Sequence, residues 1–417
     1  MKSPLESFVI SETGVTNRES LEKYKVKMFI DTINYAKKNS IFYKQKLKEI
    51  NTDIIQTTKD IAQIPFTYPE DIAKNYNQFL CVPQKYVSRI VTLKTSGTSN
   101  VDGKRIFFTD QDLNLTVNFF ENGFKSMVNQ GDKVMIMMPG DTYGSLGHII
   151  KKSLDRLNIE NFIYGVLKDC HEAGKFIQKN SINAMVALPM HAMYFSKIKE
   201  DIFKTNIKKL MLSADYVPEV LIKRFSENYN IKVFTHYGLT ETGYGCGVEC
   251  QQLEGYHIRE NDIYLEIIDP ITGCLLEDDH IGEIVLTTFN RQAMPLIRYR
   301  TGDYGLYKSK GCKCGTFLKT LERSKGRIGN GIRINNQYIH MSLLDEFLFQ
   351  YESILDYSVN LKNNQVNVKV FLSDGYIKTE EIKRKLEYIF NSSINIIFEK
   401  EANINLSTNT MIKRVLF

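Results

Sequence analysis

From Lys133 onward, five short apolar runs, KVMIMM, FIYGVL, NAMVALP, KKLMLSA and IKVFTHYG, alternate with amphipathic stretches at His171 to Lys179, His191 to Lys204 and Pro218 to Asn228. Short apolar runs separated by helix-period segments predict βαβ units and a mainly parallel sheet. Such a sheet must be covered on both faces, which takes a long chain with a large apolar fraction. With 417 residues, 43% of them hydrophobic, the chain supplies that core and exceeds one ordinary domain.

The flanking regions have different periods. The first ninety residues carry helical patterns such as Ser20 to Lys37, where Leu21, Tyr24, Met28, Ile30 and Ile33 fall roughly on one side. After Gly255, DIYLEIID and GEIVLTTF are joined through the turn-rich PITGCLLEDDHIG, predicting antiparallel β structure beside the first sheet. A break is expected near Gly326 to Asn336, beyond which DYSVNLKNN, QVNVKVFLSD, the helical TEEIKRKLEYIF and INIIFEKE make a small α+β unit. The fold class is therefore α/β. A large N-terminal domain, 1–328, has mainly parallel sheets, with a helical lead-in at 1–90, an α/β core at 91–250 and a β subdomain at 251–328. A small, mobile α+β C-terminal domain occupies 329–417.

Composition narrows the function classes. The net charge of +6 comes from scattered lysines, which suits a solvated surface better than a nucleic-acid face and leaves an anionic small substrate possible. No basic end precedes an apolar leader, and no run approaches the roughly 20 apolar residues of a membrane span. A soluble, cytoplasmic protein without membrane or nucleic-acid partners is expected. Seven cysteines in such a chain imply reduced thiols rather than a disulfide framework.

The stretch LKTSGTSNVDGK, Leu93 to Lys104, raises a phosphate-binding question. It is not a Walker loop: Gly97 to Lys104 has one residue too many, and Arg105 stands where the magnesium hydroxyl belongs. Its small residues still let backbone N–H groups face an anion, with hydroxyls from Thr95, Ser96, Thr98 and Ser99. Taken alone it reads equally as a surface hairpin between Val91 to Leu93 and Arg105 to Phe108. Three further stretches add weight. HYGLTETG, His236 to Gly243, follows an expected strand at the carboxyl edge where open α/β sheets bind ligands, and there Glu241 offers a hard oxygen for magnesium. PLIRYRTGDYG, Pro295 to Gly305, presents Asp303 as a bidentate acceptor for two ribose hydroxyls, and KGRIGN spans Lys325 to Asn330.

In this order and separation, TSGTS, HYGLTETG, MPLIRYRTGD and SKGRIGN resemble the phosphate, Tyr-Gly-x-Thr-Glu, ribose-binding and hinge blocks of the adenylate-forming superfamily, and more narrowly its phenylacetate-CoA ligase-like branch. IFYKQKL, QIPFT, CVPQ, GYHIREND, YLEIIDPITG and GEIVLTT are similar to that branch too, so the resemblance covers nearly the whole chain. It implies an AMP-forming acid–thiol ligase: ATP activates a small carboxylic acid, aromatic by resemblance, to an acyl-adenylate with release of pyrophosphate. Coenzyme A then takes the acyl group and AMP leaves.

The resemblance also assigns roles. Thr95, Ser96, Gly97 and Thr98 would hold the β and γ phosphates, Thr240 the α-phosphate, Glu241 a magnesium ion, and Asp303 the ribose with Arg327 beside it. Ser213, Ala214 and Asp215 would line the adenine, facing His236, Tyr237 and Gly238. Tyr143 and Gly144 would line the acyl pocket, between Gly140 to His148 and the strand ending at Leu188 to His191. Two departures from the family pattern stand out. Asn330 replaces the hinge aspartate of many relatives, and matching Arg414 and Val415 to the family's terminal Arg-Val puts Met411 at the position of its catalytic lysine, leaving Lys413 as the nearby candidate.

Cys250, His257, Cys312 and Cys314 form two pairs of the ligand type that structural zinc takes, and some relatives bind zinc there; Cys246 could replace Cys250. Cys81, Cys170 and Cys274 read as plain thiols, and the histidines at 148, 171, 191, 280 and 340 as ordinary surface or core residues. The expected cofactors are ATP/AMP, Mg2+, coenzyme A as co-substrate and structural Zn2+. A homodimer or a carrier protein is a possible partner. The alternatives are transfer of the acyl group to a carrier protein or an amine, or a nucleotide-binding module lacking adenylation activity.

Overall fold

The structure is a computed structural model that describes residues 3–93, 103–323, 325–334, 337–362, 365–373 and 378–400. It is mixed α/β and divides into two compact units: Met1–Gly131, Pro139–Glu160 and Thr235–Ser324 form one, and Asp132–Met138, Asn161–Phe234 and Lys325–Phe417 form the other. The chain passes from the second to the first within the strand Lys232–Tyr237.

In the second unit the expected parallel strands are present. Lys133–Ile136, Ala184–Ala187 and Lys209–Leu212 pair in parallel, with every residue of Ala184–Ala187 buried, as a strand covered on both faces requires. Cys170–Asn180 forms one crossover helix, its first turn capped by Asp169, which accepts from the Glu172 amide. The stretch read as one helix from His191 to Lys204 is two, Pro189–Ile198 and Glu200–Thr205, because Lys199 leaves helical geometry at φ −130°, ψ 60°. Pro218 to Asn228 becomes a short helix, Glu219–Lys223, followed by one π turn at Arg224–Asn228.

The C-terminal part of this unit starts with the hairpin Gly331–Ile334 and Gln337–His340 and the helix Met341–Leu348. Ile354–Lys362 then pairs antiparallel with Gln365–Leu372, which pairs in parallel with Ile394–Lys400, and the crossover is the helix Thr379–Phe390. Ile382, Leu386 and Phe390 line its buried face at i, i+4 and i+8.

In the first unit the lead-in is helical. Asn17 caps Arg18–Asn39, and Leu21, Phe29, Ile33 and Ala36 are buried along it. Lys25 is buried on the same helix because its ammonium meets Glu260, which also accepts from Arg18 at 2.8 Å and from the Lys319 amide at 2.8 Å. This carboxylate fastens the lead-in to the β region. Ile263–Ile268, Gly282–Thr288 and Tyr299–Gly305 make an antiparallel sheet, and the end of Lys232–Tyr237 pairs antiparallel with Gly247–Glu249, then Tyr256–Ile258 and Thr320–Leu321. The flanks of the opening stretch, Arg89–Leu93 and Lys104–Phe108, form an antiparallel hairpin. Among the described residues no helix is long and apolar enough to cross a membrane, and all seven cysteines are free thiols.

Candidate functional site

The strand Lys232–Tyr237 runs into a turn that only its own sequence permits. A side chain at Gly238 would put Cβ 1.9 Å from the Tyr244 carbonyl oxygen, and Gly243 takes φ +73°. Three successive carbonyls of the turn are held from outside: Arg291 donates to Glu241 at 2.9 Å, Arg259 to Thr242 at 2.7 Å and Thr116 to Gly243 at 2.8 Å. Thr240 opens the 3-10 turn Thr240–Thr242, and this bracing fixes the direction of its neighbour Glu241.

Glu241 is buried, and its Oε1 accepts from Lys104 Nζ at 2.5 Å and from the Tyr299 hydroxyl at 2.8 Å. Burial alone would raise its pKa. The Lys104 charge, with the hydrogen bonds from Lys104 and Tyr299, outweighs that and holds the carboxyl below its ordinary value. Four residues beyond Tyr299, and on the same face of the strand Tyr299–Gly305, lies Asp303. It is buried, its Oδ2 accepts from the Tyr237 hydroxyl at 3.1 Å, and its amide donates to Thr301 Oγ1 at 3.0 Å. Glu241 and Asp303, 62 positions apart in the chain, are thus brought to one seam between the 232–242 segment and this strand. His236 is buried against Phe119, Phe120 and Phe124's helix, and burial, with the nearby Arg259 charge, lowers its pKa to about 3, so the imidazole is neutral.

Tyr143 is half exposed. Its hydroxyl donates to Asp110 Oδ1 at 2.7 Å, and its carbonyl accepts from Arg89 at 2.7 Å. Gly144, at φ +67°, lies where a Cβ would press on Arg89 and Leu113. Arg89 also donates to the Tyr244 hydroxyl at 3.3 Å, so one guanidinium links the Tyr143 loop to the loop after Glu241.

The second unit holds Ser213, Ala214, Asp215 and Arg327. Ser213 is buried with its amide on the Ala187 carbonyl at 3.1 Å, and Ala214 takes the left-handed φ of 72°, a strained geometry for a residue with a Cβ. Asp215 Oδ1 accepts from the Tyr216 amide at 2.8 Å. Arg327 is exposed, and its carbonyl accepts from the Asn330 amide at 3.1 Å and pairs with His340 Nε2 at 2.6 Å. Thr95, Ser96, Gly97, Thr98 and Lys413 lie outside the described residues.

Cys250, His257, Cys312 and Cys314 converge, with one ligand atom from each within 4.8 Å of all the others. The Cys250 and Cys312 sulfurs are 3.6 Å apart, and Cys314 Sγ is 3.4 Å from His257 Nε2. A tetrahedron with Zn–S of about 2.3 Å and Zn–N of about 2.0 Å has edges of about 3.5–3.8 Å, so the donor set fits zinc. Cys250, not Cys246, joins this group. Sequence reasoning passed over Lys104, Tyr299, Arg89 and Arg291. The first stood at the end of the Gly/Ser/Thr stretch and the second inside RYRTGD, but their role is a tertiary contact that no local pattern reports.

No protein-family model matches the chain. It is 25% identical over 385 residues to phenylacetate-coenzyme A ligase of Thermus thermophilus, covering 87% of this chain and 83% of that protein. It is 27% identical over 300 residues to the enzyme of the same name from Pseudomonas putida, covering 68% and 66%, and 21% identical over 404 residues to protein CapK of Staphylococcus aureus, covering 89% and 83%. Among solved structures, 2-hydroxyisobutyryl-CoA ligase in the postadenylation state matches 92% of this chain and 86% of that one with a TM-score of 0.80 at 17% identity. The same ligase with 2-HIB-AMP and CoA in the thioesterification state matches 92% and 87% with a TM-score of 0.68 at 18% identity. The sequence blocks and these likenesses agree: the chain is similar to phenylacetate-coenzyme A ligases over most of its length and shares the fold of 2-hydroxyisobutyryl-CoA ligase.

Proposed function

We propose that this protein is an AMP-forming acid–thiol ligase that converts a small carboxylic acid, aromatic by resemblance, to its acyl-adenylate and then to its coenzyme A thioester. The observation that carries this reading is the seam in which the strand Tyr299–Gly305 meets Glu241 through Tyr299, with Lys104 on the same carboxylate, and Tyr237 through Asp303, in a chain similar to phenylacetate-coenzyme A ligases.

The first half-reaction needs no general base. A carboxylic acid with a pKa near about 4 is ionised at neutral pH, so its oxygen attacks the α-phosphorus directly, the bond to the β-phosphate oxygen breaks and pyrophosphate leaves. The protein's task is alignment and neutralisation of charge gathering on phosphate oxygens. Lys104 Nζ supplies a fixed positive charge beside Glu241. Thr95, Ser96, Gly97 and Thr98 would bind the β and γ phosphates, Thr240 the α-phosphate, Asp303 the ribose hydroxyls with Arg327 of the hinge beside it, and Ser213, Ala214, Asp215, His236, Tyr237 and Gly238 the adenine, with Lys413 contributed from beyond the hinge. Tyr143 and Gly144 would meet the acyl group. In the second half-reaction the thiol sulfur attacks the acyl carbon, the bond to the AMP oxygen breaks, and the thiol proton is lost to solvent.

Glu241 would hold magnesium through a hard carboxylate oxygen, an ion that supplies further neutralisation of phosphate charge. Cys250, His257, Cys312 and Cys314 would hold a structural zinc that ties the loop after Gly247–Glu249 to the segment before the hinge. The test is pyrophosphate release across a panel of aromatic and short aliphatic acids, with and without coenzyme A. Acid-dependent release with a CoA-dependent thioester is expected. Release without any CoA requirement would move the reading to a carrier-protein or amine acceptor, and nucleotide binding without release would reduce it to a binding module.

A further inference from the structure

We infer that Glu346 is a positioning residue for the nucleotide: its carboxylate, carried on the first helix after the hinge, sets the conformation of the Ser213–Asp215 loop. The inference rests on the reading above for what that loop contacts.

Three donors converge on this one side chain. The Tyr216 hydroxyl donates to Oε1 at 2.9 Å, the Glu219 amide to Oε1 at 2.6 Å and the Val220 amide to Oε2 at 3.1 Å. Both amides belong to the first turn of Glu219–Lys223, where backbone N–H groups have no partner within the helix. The carboxylate therefore satisfies both and grips Tyr216, the residue that follows Asp215, in the same act. Hydrogen bonds to an ionised acceptor are the stronger kind. The loop they stabilise is strained at Ala214, φ 72°, a geometry that persists only when its surroundings enforce it.

The helix bearing Glu346, Met341–Leu348, is fixed at its other end to the hinge turn. The Met341 amide donates to the Asn330 carbonyl at 2.9 Å, and His340 Nε2 meets the Arg327 carbonyl at 2.6 Å. On its inner face Asp345 accepts from the Tyr357 hydroxyl at 2.7 Å, which makes the helix part of the C-terminal sheet's core. Two more polar ties accompany the first: Arg224 pairs with Glu352, and Lys197 donates to the carbonyls of Tyr351 and Ile354. The path from the Arg327 turn to Asp215 thus runs through one rigid helix and one carboxylate. Glu346 ties seating of the post-hinge segment to order of the loop expected to line adenine.

The experiment compares wild type, Glu346→Ala and Glu346→Gln by backbone amide exchange, by calorimetric AMP affinity, and by KM for ATP, acid and CoA. In Glu346→Ala the Glu219 and Val220 amides lose protection, AMP affinity falls about tenfold and KM for ATP rises about tenfold, while KM for acid and CoA stay within about twofold. Glu346→Gln, which keeps one carbonyl acceptor, falls between. Unchanged amide protection, unchanged AMP affinity, or no AMP binding in either protein overturns the inference. So does a parallel rise in all three KM values with a lowered Tm, the mark of a merely structural role. If wild type releases no pyrophosphate with any acid, the ligase reading falls by itself, and amide exchange with AMP affinity still decides the role of Glu346.

Discussion

At the scale of single residues, the site depends on charges kept in pairs away from water. Glu241 and Lys104 are both nearly enclosed, with side-chain exposures of 5% and 12%. Removing one partner of such a pair leaves an uncompensated buried charge, whereas removing both need not cost stability. Glu241→Gln is therefore expected to lower unfolding stability by about 3 kcal/mol and to abolish most pyrophosphate release. The double variant Glu241→Gln with Lys104→Met regains much of the stability and none of the activity. Urea unfolding and the pyrophosphate assay read the two effects separately, and full activity in Glu241→Gln would remove this carboxylate from the chemistry. Gly238→Ala tests the turn itself: the clash is with backbone, not with a flexible side-chain end, so a loss of about 2 kcal/mol or more is expected, visible as a lower Tm before any ligand is added.

At the scale of elements, the chain is legible where local period and burial agree. The parallel strands at 133–136, 184–187 and 209–212, the antiparallel pair Ile263–Ile268 with Gly282–Thr288, and the helix Thr379–Phe390 all follow from apolar spacing. The helix Met341–Leu348 escaped notice because it is only eight residues long and opens directly from a strand, and the break at Lys199 has no glycine or proline to announce it. RYRTGD, read as a binding block, is also a strand whose Tyr299, Thr301 and Asp303 share a face. The four zinc-type ligands were legible as residue types. Their convergence was not, since it depends on Thr320 pairing with His257 across strands that are two and three residues long. Such short elements gain from a metal staple. Protein purified without chelator is expected to carry about one equivalent of zinc, and Cys312→Ser to lose it together with about 5 °C or more of Tm. Cobalt substitution should give the absorption of a tetrahedral thiolate site, and a metal-free protein of unchanged Tm would refute the assignment.

For the molecule as a whole, buried titratable groups set how stability follows pH. His191 is fully buried, with no hydrogen-bond partner for either ring nitrogen among the described residues, and burial lowers its pKa to about 4 from 6.5. Unfolding therefore takes up a proton between pH 6.5 and about 4, so this group makes the folded state progressively less stable as pH falls through that window. Glu260 works lower. Burial opposes its ionisation, but Lys25 and Arg18 bring its pKa down to about 2 from 4.5. Its contribution is complete above pH 4.5 and is lost as pH falls toward 2. Asp262 acts in the opposite sense, since burial pushes it up to about 6, and the net slope mixes these three with other buried groups, His236 and His257 among them. Single variants separate them. His191→Asn is expected to flatten the dependence of unfolding free energy on pH by up to about 1.4 kcal/mol per pH unit between pH 6.5 and 4. Glu260→Gln should leave the slope above pH 4.5 unchanged while lowering stability there by about 3 kcal/mol, because the buried Lys25 keeps only the partly exposed Glu22, at 3.3 Å, as a countercharge. Urea unfolding at half-unit steps from pH 7 to 4 measures both. A His191→Asn slope equal to wild type would overturn this reading of the imidazole as buried and unprotonated.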